Sequence, residues 1–252
     1  MTGNTYTTSH EAEARADSYS QTYRSSYYAS LWRDVEQPMI DRLLASYFPN
    51  GLERVVDVAC GQGRITEFVA QRCKQAIGID ISQAMLSRAA ICGTSAHYVR
   101  CDVSSDWPIL GPVDLVTCFR FLLNAEGNLS VAALRRAAAH LSVSGGLLIA
   151  NVHVRACSPL GYWYRATNRI LRRTRARTLH DTQSRALLEE SGFEVLHMER
   201  YGVLPRPLGL WSHGLDAVVG RCERIAHRHF PSAFRNAQCL MIVARPQVGR
   251  GA

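Results

Sequence analysis

The segment Val55-Val-Asp-Val-Ala-Cys-Gly-Gln-Gly-Arg-Ile-Thr66 carries the most legible chemistry in the chain. A β-branched run ends at Ala59, Gly61 and Gly63 follow, and a helical pattern starts directly afterwards. Glycine permits a tight turn and lets a ligand approach the backbone, and a helix N-terminus presents N–H groups without intrahelical partners to anionic atoms. The pattern predicts a loop that holds a ligand with a negatively charged group. Nineteen residues beyond Gly61 a second apolar run ends in Asp80, where a carboxylate can accept hydrogen bonds from two ribose hydroxyls. Loop and acid together imply a nucleoside. A dinucleotide fingerprint is disfavoured, because its third glycine falls on Thr66 and Asp57 lies inside the first run. A P-loop is excluded, since no Gly-Lys-Ser/Thr triplet occurs. A later run ends in Asn151-Val-His153-Val, which places His153 on the sheet edge where ligands bind in open α/β folds. His153 is the candidate base, with a packed or hydrogen-bonded histidine as the structural alternative.

Elements must position these groups. From Arg54 to about 155, short β-branched runs (VVDVA, AIGIDI, HYVRC, DLVTCF, GLLIANVHV) alternate with helical patterns near Arg64–Arg72, Gln83–Ala90 and Leu134–Leu141. That alternation predicts an α/β fold with a parallel sheet covered on both faces. Before it, Tyr19, Tyr23, Tyr27 and Leu31, then Met39, Leu43 and Tyr47 after Pro38, recur at four-residue spacing and predict two amphipathic helices. After it come an arginine-rich stretch, a helix over Thr182–Glu190 closed by Gly192, and a strand from Phe193. A second insertion follows, in which Trp211, Leu215, Val218, Cys222 and Ile225 fall at helical spacing, before a last strand over Cys239–Ala244. The expected division is 1–49, a polar N-terminus and helical cap, and 50–252, one ligand-binding domain with insertions at about 155–181 and 203–236.

Asp57-Val-Ala-Cys-Gly61-Gln-Gly63, Gly78-Ile-Asp80-Ile-Ser82, Asp114-Leu-Val-Thr-Cys-Phe119 and Leu141-Ser-Val-Ser-Gly145-Gly146 occur in this order. The set resembles the motifs of class I S-adenosylmethionine-dependent methyltransferases over Arg54 to Ala150. The resemblance implies a Rossmann-like three-layer sandwich with a mostly parallel seven-stranded sheet, an N-terminal helical cap, and helical insertions after strands five and six. It implies S-adenosylmethionine as cofactor, with S-adenosylhomocysteine as product. By position, the loop from Asp57 to Gly63 would hold the methionine part, with Asp57 polarising its ammonium group. Asp80 would bind the ribose with Ile81 and Met85 as apolar neighbours, Asp102 and Val103 would meet the adenine edge, and Phe119 would face the methyl donor. Ala59 departs from the family, standing where many members have a glycine. Asp114 is expected to be structural, and Tyr28 and Arg120 are candidate cap or substrate residues.

Composition narrows the partners. Hydrophobic residues form 47% and charged residues 20% of the 252, which suits a folded globular chain rather than a disordered or membrane-spanning one. The eight cysteines show no CxxC pair or Cys/His zinc spacing, so no metal is expected and they read as reduced core side chains. With no apolar stretch at the N-terminus, a cytoplasmic enzyme is the expectation. Of the formal net charge of +8, eight arginines against Asp181 place +7 between Arg155 and Arg185. Leu160, Trp163, Tyr164, Ile170 and Leu171 can share a helix face there, with the arginines opposite. The segment reads equally as a lid over an anionic acceptor, a peripheral membrane contact, a nucleic-acid patch or a solvated basic helix. Because the charge is confined to it and Cys118-Phe-Arg-Phe121 stands where base N-methyltransferases carry an Asn/Asp-Pro-Pro-Tyr/Phe tetrad, a small-molecule acceptor is preferred over RNA. The expected function is methyl transfer to an oxygen or nitrogen of that acceptor, with an RNA methyltransferase or a non-catalytic cofactor-binding protein as alternatives.

Overall fold

The apolar runs become strands of a single sheet in a computed structural model of the protein, which describes residues 27–92, 95–109, 111–125, 128–171, 177–204 and 216–247. The strands are β1 (Leu52–Val58), β2 (Cys73–Asp80), β3 (Ala96–Arg100), β4 (Leu115–Cys118), β5 (Leu147–Val152), β6 (Phe193–Tyr201) and β7 (Cys239–Pro246). Their order is β3-β2-β1-β4-β5-β7-β6, parallel throughout except for β7, which runs antiparallel to both neighbours. The mostly parallel seven-stranded sheet is as expected.

Successive strand residues face opposite sides, and both sides are covered. Val56, Val58, Val116, Leu148 and Ala150 join one buried cluster, while Val55, Leu115, Leu147 and Ile149 join the other. This double burial is why the strands read as continuous apolar runs. Among the described residues the helices α3 (Arg64–Ala70), α4 (Gln83–Cys92), α5 (Leu129–His140) and α7 (Asp181–Glu190) connect the strands. None of the helices among the described residues is long and apolar enough to cross a membrane.

Three expectations change. The N-terminal pair is one continuous helical rod over its described part: α1 (Tyr27–Leu31) passes through a π-helical turn, Trp32–Glu36, into α2 (Gln37–Tyr47). Pro38, which has no N–H to give, sits in the first turn of α2 directly after the widened turn; Tyr19 and Tyr23 lie outside the described residues. Within α6 (Pro159–Leu171) the apolar residues are not buried together: Leu160 and Tyr164 pack on the core, whereas Trp163 and Ile170 are exposed. In α8 (Asp216–His229) Cys222 and Ile225 face outward. The inward side carries Glu223, which accepts the Val203 and Leu204 N–H groups. Trp211 and Leu215 lie outside the described residues. The seven cysteines whose side chains are described are all free; Cys101, Cys118 and Cys239 are buried, but Cys222 is exposed rather than part of the core.

Candidate active site

The strand order reverses between β1 and β4, and the C-terminal edge there is where open α/β sheets bind ligands. Register brings the expected groups to that edge: Asp57 pairs with Gly78 on one side and Thr117 on the other, and Asp80 closes β2 beside them. Asp57 is 1% exposed, and its two oxygens accept the Thr66 and Thr117 hydroxyls at 2.6 and 2.7 Å. Burial pushes its carboxyl up to about 6, against the opposing pull of both hydroxyls and of Arg64.

The sign of that shift sets a pH dependence. The folded state takes up a proton well above the ordinary 3.8, so the contribution of Asp57 to stability is present below about pH 4 and lost as pH rises through 6. By the usual conversion the loss is about 3 kcal/mol. Asp57→Asn can keep both threonine contacts, so its melting temperature is expected to gain on the native protein between pH 5 and 7.5. Parallel pH profiles would contradict the shift.

The loop after β1 is held left-handed at three positions, Ala59 (φ 54°), Gly61 (φ 56°) and Gly63 (φ 77°). At Gly61 a Cβ would meet nothing within 4 Å, so space opens in front of the backbone; at Gly63 it would collide with the Tyr98 hydroxyl. Tyr98 in turn donates to Glu67 of α3 at 2.7 Å, which packs β3 against the loop. Ala59 bears the same backbone strain with a side chain present, a cost of about 1–2 kcal/mol. After the entropy that glycine adds to the unfolded chain, Ala59→Gly is expected to stabilise the protein by about 0.5–1 kcal/mol, read as a melting rise of about 2 °C.

Asp80 is 9% exposed and fastens the turn from both sides: Oδ2 accepts the Gly61 N–H at 2.8 Å and Oδ1 the Ser82 N–H at 2.9 Å. Ile81 is half-buried and Met85 buried at the start of α4. Past β3, Asp102 is exposed and closes a local turn by accepting from the Ser104 N–H and hydroxyl; Val103 is buried in the core. Phe119, just beyond β4, shares a buried cluster with Leu31 and Trp32 of the rod. His153 lies one residue past β5, half-buried, with its carbonyl accepting the Cys239 thiol at 3.5 Å. Asp114 accepts the Glu53 and Arg54 N–H groups at the opposite end of β1.

Sequence reasoning missed the group that joins these parts. Glu36, Asn151 and Tyr201 are each 0% exposed. The Tyr201 hydroxyl donates to Glu36 Oε1 at 2.7 Å and accepts from Asn151 Nδ2 at 3.0 Å, while Asn151 Oδ1 accepts the Arg120 N–H at 2.7 Å. Glu36 also pairs with Arg64 at 3.5 Å and Arg120 at 3.7 Å. Arg64 lies over the Trp32 ring at 4.5 Å and Arg120 over the Tyr28 ring at 5.0 Å. The candidate cap residues Tyr28 and Arg120 are thus in contact, with Arg120 itself in the left-handed region (φ 58°). A single carboxylate ties the rod to the helix after the glycine loop and to the turn after β4. Its sequence signal is weak, because Glu36 and Tyr201 are 165 residues apart. A cavity of about 1250 Å³ opens elsewhere, beside the turn before β5 and lined by Arg135, Ser142, Glu190 and Arg245, and contains none of the expected site residues.

Residues 55–145 match a family described as a methyltransferase domain. Among curated proteins none matches the sequence. Solved structures with the same fold include magnesium protoporphyrin IX methyltransferase from Synechocystis PCC 6803 with bound S-adenosylhomocysteine, at 16% identity over 92% of this chain and 94% of that one (TM-score 0.60). The N-methyltransferase NodS from Bradyrhizobium japonicum, in complex with S-adenosylhomocysteine, is 15% identical over 92% and 97% (TM-score 0.57). The [4+2]-cyclase SpnF is 22% identical over 90% and 84% (TM-score 0.56). At these identities the likeness is one of fold. The likeness to known proteins is thus a methyltransferase-domain match over residues 55–145 and a shared fold over the seven-stranded sheet around them.

Proposed function

We propose that the chain is an S-adenosylmethionine-dependent methyltransferase acting on an oxygen or nitrogen of a small-molecule acceptor. The observation that carries this reading is the turn between β1 and α3. Gly61 faces open space, and the almost fully buried Asp80 carboxylate stands beside it with its backbone contacts already made. Those residues fit an adenosyl cofactor: Asp80 for the ribose, the Gly61–Gly63 loop and Asp57 for the methionine part, and Ile81, Met85 and Val103 for the adenine surroundings. When bound, the cofactor supplies a methyl group on a sulfonium centre. The chain has only to orient the acceptor in line with that group, exclude water and remove a proton where the acceptor carries one. Phe119 and the rod residues Leu31 and Trp32 form the water-excluding wall. His153 is the proposed base for a hydroxyl acceptor, and a neutral amine needs none. Tyr28 and Arg120 are the proposed acceptor-side contacts.

Titration calorimetry with S-adenosylhomocysteine, followed by transfer of labelled methyl from S-adenosylmethionine to pooled metabolites, tests this. Binding with label transfer is expected. Absence of binding by folded protein defeats the cofactor reading, whereas binding without transfer to any pool leaves a non-catalytic binder.

A further inference from the structure

The helix α6 buries one side and leaves a second apolar stripe in solvent. Its inner side is anchored by Leu160 and Tyr164 on the core and by Gly161, whose missing side chain lets the helix lie against the Arg155 carbonyl. Turning away from the core, at 100° per residue, Tyr162, Ala166 and Ile170 form one row, with Trp163 between Ile170 and Leu160. Tyr162 is 57%, Trp163 40% and Ile170 77% exposed. The adjoining row is Arg165 and Arg169, both exposed, with the Arg165 guanidinium 4.7 Å from the Tyr162 ring centre. The thirteen residues of α6 contain no acid. Arg155, by contrast, is buried in a two-pronged pair with the half-buried Asp181 at 2.6 and 2.9 Å, and Asp181 also accepts from Arg200 at 2.8 Å, so the only acid of the basic segment is already paired away from α6.

We infer that the outer face of α6 is a docking surface for an anionic lipid bilayer. An interfacial helix needs aromatic and aliphatic side chains to enter the headgroup region and cations at their border to meet anionic lipid. The Tyr162/Ala166/Ile170 row, Trp163 and the arginine row supply both from a helix fixed to the core by its other side. Nucleic acid is the poorer fit, because a largely exposed isoleucine in the stripe neither stacks on bases nor pairs with phosphate. The inference stands apart from methyl transfer, since vesicle binding is read without cofactor or acceptor.

The test is co-sedimentation of the whole protein with phosphatidylcholine vesicles with and without 30% phosphatidylglycerol (about one lipid in three, enough for the surface potential on which such binding depends). Partition onto the anionic vesicles alone is expected, falling as salt is raised. Near such a surface each arginine contributes about fivefold, so Arg165→Glu with Arg169→Glu should weaken partition by well over about 25-fold. Trp163→Ser with Ile170→Ser should weaken it at least about tenfold. Both pairs are on the surface and should leave the melting temperature and S-adenosylhomocysteine affinity unchanged. No partition by the unaltered protein overturns the inference, as does partition indifferent to the Trp163/Ile170 pair. Vesicle binding that short RNA duplexes displace while themselves binding tightly would assign the face to nucleic acid, and a dimer dispersed by the stripe variants would assign it to a second copy.

Discussion

Asp80→Ala is expected to raise the dissociation constant for S-adenosylhomocysteine by about 100-fold or more while leaving a folded protein. Two effects add. The carboxylate is the proposed acceptor for both ribose hydroxyls, and hydrogen bonds to an ionised group contribute about 1.5–3 kcal/mol each. The same carboxylate holds the Gly61 N–H and the Ser82 N–H, so its loss also releases the loop that would lie along the ligand. Asp80→Asn preserves the shape and one acceptor and should fall between, at about tenfold. Titration calorimetry reads both constants, and a melting curve confirms that each variant is folded. Unchanged affinity in folded Asp80→Ala would remove the ribose assignment, and with it the strongest link between this turn and an adenosyl ligand.

Glu36→Ala is expected to cost about 3–5 kcal/mol of stability, the penalty for removing one partner from a buried ion pair. Glu36 has 0% exposure and faces Arg64, Arg120 and the Tyr201 hydroxyl, so its removal leaves two guanidinium groups without the carboxylate between them. At about 2–4 °C per kcal/mol for a chain of this size, the midpoint should drop by about 10 °C or more. Tyr201→Phe removes a hydroxyl that bridges Glu36 and Asn151 and should cost about 1–3 kcal/mol. The two losses should be non-additive, because the residues share one network. A Glu36→Ala midpoint within about 3 °C of the native value would show that the rod is held by its apolar cluster alone.

The contrast between these sites shows how much was legible in advance. Asp57, Gly61, Gly63 and Asp80 stand at the ends of strongly patterned strands, and a parallel strand buried on both faces announces itself as an unbroken β-branched run. Element type and order could therefore be read along the chain, including Ala59 as the odd residue in the turn. Asp102 is legible as a candidate ligand contact, but the bond by which its Oδ1 also closes the turn with Ser104 is not. That local bond depends on backbone path, which spacing does not reveal. In α6 the helical period is legible but the partition of apolar residues between core and solvent is not, since periodicity locates a face without saying which neighbour covers it.

From the sequence alone came the α/β alternation, the glycine turn between two strand-end acids and the concentration of charge between Arg155 and Arg185. Each is local, and backbone sterics, side-chain period and charge count are carried by neighbours along the chain. Only the tertiary structure decided that Glu36, Arg64, Arg120, Asn151 and Tyr201 meet, that Asp181 takes Arg155 into the interior, and that α6 turns Trp163 and Ile170 outward. Those facts depend on which surfaces are desolvated together, and desolvation is a property of the packed fold.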